Sequence, residues 1–172
     1  PKAASVTTSG QPTESAVSAM EARTHAKHSP SSLKYKWACP GWRGEESDGP
    51  NKWADRGTRG HAAVEVMNSA EISDDPNLKT AVDMCIAYVK HLRTTLTGSY
   101  EEHREVKLRV LDQYGHAELV ITTAGGEAHL LDWKFASNLY EVNSPQFWAY
   151  TLGVFDRFFV HSVHVHVLHP WL

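Results

Sequence analysis

An acid and a base lie two positions apart in the apolar segment LLDWKFA, residues 130–136. Successive side chains of a strand point to opposite faces, so Asp132 and Lys134 would share one face of a sheet. A buried charge without a partner is strongly unfavourable, and this pair therefore needs either solvent or a function. A carboxylate beside a lysine can hold a metal ion and position a water molecule, which is phosphodiester-hydrolysis chemistry in outline.

The strand before this segment supplies a second acid. Residues 115–122 and 128–135 have strand-like patterns, and the TAGGE between them is typical of a hairpin turn. A three-residue loop usually needs a left-handed conformation at its third position, which Gly126 can adopt. This loop length pairs Glu118 with Asp132 and puts both side chains on one face.

A two-residue loop would instead place Glu118 opposite Trp133, so the register is a testable prediction. Facing carboxylates repel each other unless a positive charge lies between them. Mg²⁺ prefers carboxylate oxygens and keeps several waters, and Lys134 beside it could orient a water and steady a phosphate oxygen. The alternative is a salt bridge on an exposed sheet face, but the apolar residues on both sides of the pair favour a central strand.

An acid on one strand, a hairpin and then acid-X-Lys on the next strand resemble the PD-(D/E)XK nuclease superfamily. Four segments resemble its RecB-like and phage exonuclease branch: SPSS…CPG near the start, GTRGHAAVE at 57–65, GHAELVI at 115–121 and QFWAY at 146–150. The resemblance covers about residues 29–170. It implies a restriction-endonuclease-like core and a Mg²⁺- or Mn²⁺-dependent deoxyribonuclease. The activity it implies is that of an exonuclease in phage-type DNA recombination, repair or replication.

The resemblance also implies roles for individual residues in the strands. Glu118 and Asp132 would be metal ligands, together with the backbone carbonyl of Trp133. His61 would be an additional ligand, and Lys134 would act on the attacking water and on the phosphate. The family usually has Asp where this chain has Glu118, whose side chain is longer by one methylene, so the metal position would shift. An alternative is therefore a DNA-binding or assembly module with the same fold and weakened catalysis.

Two helices carry the remaining residues that the resemblance implies. Glu65 would support His61 or bind a second metal or its water, whereas pairs four apart on a helix often only stabilise its surface. Gln146 and Tyr150, one helical turn apart, would steady the active site or contact the DNA backbone. Ordinary packing is the alternative for these two.

The resemblance names DNA as the partner, as duplex ends or as a single strand. Homo-oligomerisation and a single-strand annealing or binding protein are further expected partners, in the cytoplasm of a bacterium or a phage-infected cell. Lys52, Arg56 and Arg59 are candidate DNA-binding residues, because basic residues among tryptophans can bind phosphates and stack on unpaired bases. A solvated loop with buried tryptophans is the alternative for this segment, since acids in it reduce its charge.

The histidines near the end of the chain offer a different hypothesis. His164 and His166 would share a strand face and could bind zinc. Their alternation with valines is also what a half-solvated strand shows. No Cys or Asp lies at metal-ligand spacing nearby in the sequence.

Composition limits the class of protein. The chain has 172 residues, enough for one domain with a core, and a formal net charge of −3, so it is not a polycation. Two cysteines cannot form a disulfide framework or a four-cysteine iron–sulfur cluster, which favours a reduced compartment and excludes the iron–sulfur relatives. No apolar run is long enough to predict a membrane span.

The predicted organisation is a flexible tail over residues 1–28 and a nuclease domain over residues 29–172. The expected architecture is an α/β domain with a mixed sheet of about four strands flanked by helices. The predicted helices are a short one after SPSS, one from Asp55 to about Ala70, one over about Pro76–Leu96 and one over 144–158, capped by Ser144. The predicted strands are 106–110, 115–122, 128–135 and 163–167.

Overall fold

The computed structural model describes residues 30–39, 52–110, 113–135 and 143–171. The tail predicted over residues 1–28 lies outside these ranges. Within them, no helix has the length and apolar character that a membrane crossing requires.

Four α-helices and two short 3₁₀ turns make up the helical part of the described chain. The α-helices are α1 (Leu33–Ala38), α2 (Lys52–Glu65), α3 (Pro76–Thr95) and α4 (Pro145–Arg157). The 3₁₀ turns are Pro30–Ser32 and Ala70–Ile72.

Helix α3 confirms its prediction to within one residue at its end. Asp75 caps it by accepting a hydrogen bond from the backbone amide of Leu78 at 2.9 Å, and Pro76 occupies the first position, where no amide is needed. The apolar face expected from the sequence is buried. It comprises Leu78, Val82, Cys85, Ile86, Val89 and Leu92.

Two details of the predicted helices were wrong. Helix α2 begins at Lys52 and ends at Glu65, because the chain turns at Met67, whose φ of 55° is left-handed. Ser144 occupies the N-cap position of α4, but its hydroxyl makes no capping hydrogen bond. The first turn is held instead by the Ser144 carbonyl, which accepts from the amide of Phe147 at 3.0 Å.

One four-stranded mixed sheet confirms the predicted architecture. The strands β1 (Tyr100–Val110), β2 (Gln113–Thr123), β3 (Glu127–Trp133) and β4 (Ser162–Leu168) lie side by side in chain order. The first three are antiparallel neighbours, and β4 pairs with β3 in parallel. Strand β1 begins six residues before its predicted start, because its first half is polar and lacks the apolar alternation used to find it.

The predicted hairpin register is confirmed. Leu119 lies opposite Leu131 and Thr122 opposite Ala128. Gly126, the third loop residue, has a φ of 82°, and its amide donates to the carbonyl of Thr123 at 3.0 Å. The loop length therefore determines which side chains face each other across β2 and β3.

Two apolar clusters pack against this sheet. One joins α2 and α3 to β2 and β3 and contains the buried Trp133 and Phe135. The other joins α4 to the first three strands and contains Val120, Leu130 and Tyr150. Helices on the two clusters bring side chains from both sides to the end of the hairpin where Asp132 lies.

Candidate active site

The position of Glu118 relative to Asp132 follows directly from the confirmed register. The two acids are the next positions after the Leu119–Leu131 pair, so they face each other across β2 and β3. Leu130, two residues before Asp132, packs in the α4 cluster, which places the Asp132 carboxylate on that face by alternation. Trp133 packs in the opposite cluster, as predicted.

Asp132 is a buried acid with a lysine beside it. The residue is 3% exposed, and Lys134 Nζ lies 2.7 Å from its Oδ2. Burial raises the pKa of Asp132 to about 6; the charge of Lys134 opposes this shift, and the charge of Glu118 adds to it. Lys134 follows the end of β3, and its amide continues the pairing with β4 by donating to the Leu168 carbonyl at 2.9 Å. Its backbone is therefore fixed by the sheet.

His61 reaches the second carboxylate from helix α2. Its Nδ1 lies 2.7 Å from Glu118 Oε2, a contact between residues 57 positions apart. Burial lowers the pKa of His61, but the charge of Glu118 and the hydrogen bond to it more than offset this, and the net pKa is raised. The ring also stands edge-on to Phe135 with centroids 5.3 Å apart.

The glycine before His61 explains how α2 comes so close to the end of β3. A Cβ on Gly60 would lie 2.7 Å from the ring of Phe135, a distance that real Cβ atoms do not tolerate. Only glycine therefore lets the helix pack on this ring. The close contact brings His61 within reach of Glu118.

Gln146 and Tyr150 are buried on α4 beside the acids. Gln146 Nε2 lies 3.5 Å from Asp132 Oδ1, and Tyr150 donates its hydroxyl to the carbonyl of His116 at 2.9 Å. Burial, followed by the charges of Asp132 and Glu118, raises the pKa of Tyr150. At 8% and 6% exposure, the two side chains are better placed to steady the acids than to contact DNA directly.

Glu65 lies one turn beyond His61, at the last residue of α2. Arg104 on β1 holds this helix end, because its Nη1 donates to the Glu65 carbonyl at 3.0 Å. The role of its carboxylate at a second metal stays a prediction.

The predicted DNA-binding cations lie on α2 and are partly engaged within the chain. Arg56 makes two hydrogen bonds to Asp75, at 2.6 and 3.0 Å. Arg59 is paired with Asp74, and Lys52 is exposed at the first position of the helix. The guanidinium groups of Arg56 and Arg59 therefore also link α2 to the residues just before α3.

Glu105 is an acid that the sequence analysis did not single out. It lies between the pairs Arg104–Leu119 and Val106–Ala117, which places it opposite Glu118 on β1. Its φ of 46° is left-handed, a conformation that disfavours any side chain, and its charge contributes to the raised pKa of Tyr150. The register of the β1–β2 hairpin could have identified it, had the polar half of β1 been recognised as a strand.

The donor types suit Mg²⁺ or Mn²⁺. Mg²⁺ in proteins is usually held by one or two carboxylates with waters and substrate phosphates, which Glu118 and Asp132 can supply. The raised pKa of Asp132 indicates a site where added positive charge would stabilise the carboxylate. Within the described ranges, no three His, Cys, Asp or Glu side chains are arranged to enclose an ion. The fit therefore depends on the two facing acids and not on a preformed cage.

The histidines near the chain end lie apart from these acids, on β4. His164 and His166 stack on His129 of β3, with centroids 4.9 and 5.3 Å apart, and His166 Nδ1 lies 2.8 Å from the Tyr88 hydroxyl. Burial, with the charges of the other two histidines, lowers the pKa of His166 to about 4. No zinc cage of three ligands is present in the part of the chain that the structure describes.

We compared the chain with protein-family models, with curated proteins and with solved structures, and none of the three comparisons found a match.

Proposed function

We propose that this protein is a Mg²⁺- or Mn²⁺-dependent deoxyribonuclease of the PD-(D/E)XK type, with a restriction-endonuclease-like core. The observation that carries the proposal is the pair Glu118–Asp132, face to face across a hairpin, with Lys134 Nζ 2.7 Å from the buried acid. An exonuclease of the RecB-like and phage branch is the expected form, acting in DNA recombination, repair or replication.

The chain's own residues have separate tasks in this mechanism. A bound Mg²⁺ or Mn²⁺ supplies polarisation of the scissile phosphate and a lowered pKa for a bound water. Asp132 and Glu118 hold the positive charge in place, and Lys134 orients the attacking water and steadies a phosphate oxygen. His61 fixes Glu118 through its 2.7 Å contact, and Gln146 orients Asp132 from the other side.

The charges at the site favour a change of ion-pair partners when substrate binds. Each facing carboxylate has one basic neighbour that contributes to its neutralisation: Glu118 has His61, whose pKa is raised, and Asp132 has Lys134. Glu118 and Asp132 would hold a divalent cation, whose charge would supply this neutralisation instead. Lys134 would then be available to the phosphate, which brings its own negative charge.

Digestion of end-labelled DNA tests the proposal directly. Purified protein with Mn²⁺ is expected to degrade linear DNA and to spare a covalently closed circle of the same sequence, as an exonuclease does. Lys134→Ala should reduce the rate at least about 100-fold, since removal of one electrostatic group from a site of this kind has effects of that order. If neither linear duplex nor linear single-stranded DNA is degraded, the enzyme proposal is wrong.

A DNA-binding or assembly module with weakened catalysis is the second candidate. It is favoured by Glu118, which stands where the family usually has Asp, and by the contacts that His61 and Lys134 already make with the two acids. Calorimetry separates the two candidates, because the enzyme binds Mn²⁺ with a heat that Asp132→Asn abolishes. A protein that binds DNA but shows no Mn²⁺ heat and no digestion would be the module.

A further inference from the structure

Three residues of helix α2 form a single row that leads to the candidate active site. Trp53, Gly57 and His61 are each four positions apart, so they lie on one side of the helix. At 1.5 Å of rise per residue, about 12 Å along the axis separates the first from the last. His61, at the inner end, contacts Glu118. The row therefore runs from an exposed aromatic ring to the facing acids.

Gly57, in the middle of the row, meets no packing constraint among the residues that the structure describes. Glycine destabilises a helix interior relative to alanine, so it usually needs an explanation. Gly60 has one, because a Cβ there would collide with Phe135. A Cβ on Gly57 would meet no heavy atom within 4 Å of it in the part of the chain that the structure describes. The missing side chain leaves a gap in the helix surface between Trp53 and His61.

Trp53, at the outer end, presents a flat ring to solvent beside fixed positive charge. The residue is 73% exposed. Arg56 Cζ lies 6.0 Å from its ring centre, and Asp75 and the ring of Trp171, 4.6 Å away, fix the guanidinium. The exposed Lys52 precedes Trp53. An exposed aromatic ring with basic neighbours is the arrangement that stacks on unpaired bases while cations attract the phosphates.

We infer that the row is a track for a single strand of DNA: one base stacks on Trp53, the backbone crosses α2 over Gly57, and the next phosphates reach the site at His61. The inference rests on the proposed function, because it takes the facing acids as the place of hydrolysis. The occupant is an unpaired strand and not a continuous duplex, since stacked base pairs do not offer a base face to the ring.

Binding of a fluorescein-labelled twelve-nucleotide oligothymidylate in EDTA, followed by anisotropy, tests the track without cleavage. Trp53→Leu and Gly57→Leu should each raise Kd about 5- to 100-fold, the range that one stacked base supplies. Two matched controls should stay within twofold of the wild type. Thr58→Leu places the same leucine side chain on the next residue, and Trp148→Leu removes a ring that is 64% exposed on α4. Thermal melts establish that all four variants are folded.

Two results would overturn the inference. One is a Kd within twofold of the wild type for both Trp53→Leu and Gly57→Leu, and the other is an equal loss in all four variants. Hydrolysis of thymidine 5′-(4-nitrophenyl phosphate) by the wild type with Mn²⁺, where water displaces 4-nitrophenolate from phosphorus, tests the candidate active site without an oligonucleotide. If the wild type hydrolyses neither this ester nor DNA, the proposed function fails. If it hydrolyses them and the variants still bind the oligonucleotide normally, only the track fails.

Discussion

Lys134 Nζ lies 2.7 Å from Asp132 Oδ2, and the two side chains are 14% and 4% exposed. Above its pKa of about 6, the Asp132 carboxylate is therefore an ion that water cannot stabilise well, and one neighbouring cation compensates its charge. In a buried ion pair of this kind, replacing one partner lowers the stability of the fold more than replacing both.

Replacing Lys134 alone should destabilise the fold, while replacing both partners should restore much of the loss. Lys134→Met leaves the Asp132 charge uncompensated, and we expect the free energy of unfolding at pH 7.5 to fall by about 3 kcal/mol. Lys134→Met combined with Asp132→Asn should recover at least half of this. Urea unfolding of the variants measures it, and a double variant as unstable as the single one would show that the pair does not control stability.

The raised pKa of Asp132 predicts how stability changes with pH. The folded chain holds this proton up to about pH 6, against an ordinary value of 3.8, so it binds the proton more tightly than the unfolded chain does. Stability from this group is greatest below pH 4 and decreases as the pH rises to 6, by as much as about 3 kcal/mol. Subtracting the unfolding free energies of Asp132→Asn from those of the wild type across pH 4–7 isolates the slope. If this difference in unfolding free energy does not change with pH, the pKa of Asp132 in the folded chain is near its ordinary value of 3.8.

Two glycines of α2 should respond oppositely to alanine. Gly60→Ala forces a Cβ into the Phe135 ring, and we expect a loss of about 1–3 kcal/mol in the free energy of unfolding. Gly57→Ala brings its Cβ within 4 Å of no heavy atom of the described residues and should gain about 0.5–1 kcal/mol from the better helix former. Thermal and urea unfolding of both variants compare them directly. Equal stability of the two would mean that α2 packs less closely on Phe135 than described.

The hairpin loop offers a second matched pair of glycines. Gly126→Ala should destabilise by about 1 kcal/mol or more, because φ is 82° and the new Cβ would lie 3.0 Å from His161. Gly125→Ala makes an ordinary contact of 3.6 Å with Thr123 and should change stability by less than about 0.5 kcal/mol. Urea unfolding measures the difference, and an unaffected Gly126→Ala would contradict the left-handed third position.

The hairpin could be predicted from the sequence because it depends on local information. The glycines of the loop determine its length, and its length determines that Glu118 faces Asp132. The parallel partner of β3 could not be predicted in the same way, since β4 is separated from it by all of α4. The Arg56–Asp75 pair was not predicted either, because a charge pattern does not reveal which of several acids a guanidinium will meet.

The candidate active site also contains residues that local sequence could place and residues that only the tertiary structure places. Lys134 and Asp132 lie two residues apart and could be placed on one face by alternation alone. The contact of His61 with Glu118 depends on how closely α2 packs on Phe135, which is a property of the tertiary structure. Glu105 was not identified from the sequence because the polar first half of β1 lacks the apolar alternation that marks a strand.

The strand order also bears on the sequence of events during folding. Strands β1, β2 and β3 are joined by short loops and can pair while the rest of the chain is unstructured, whereas β4 must wait for α4. We therefore expect the two like charges of Glu118 and Asp132 to be brought together early, before His61 docks from 57 residues away. A hairpin that assembles against its own repulsion gives the docking of α2 an electrostatic driving force.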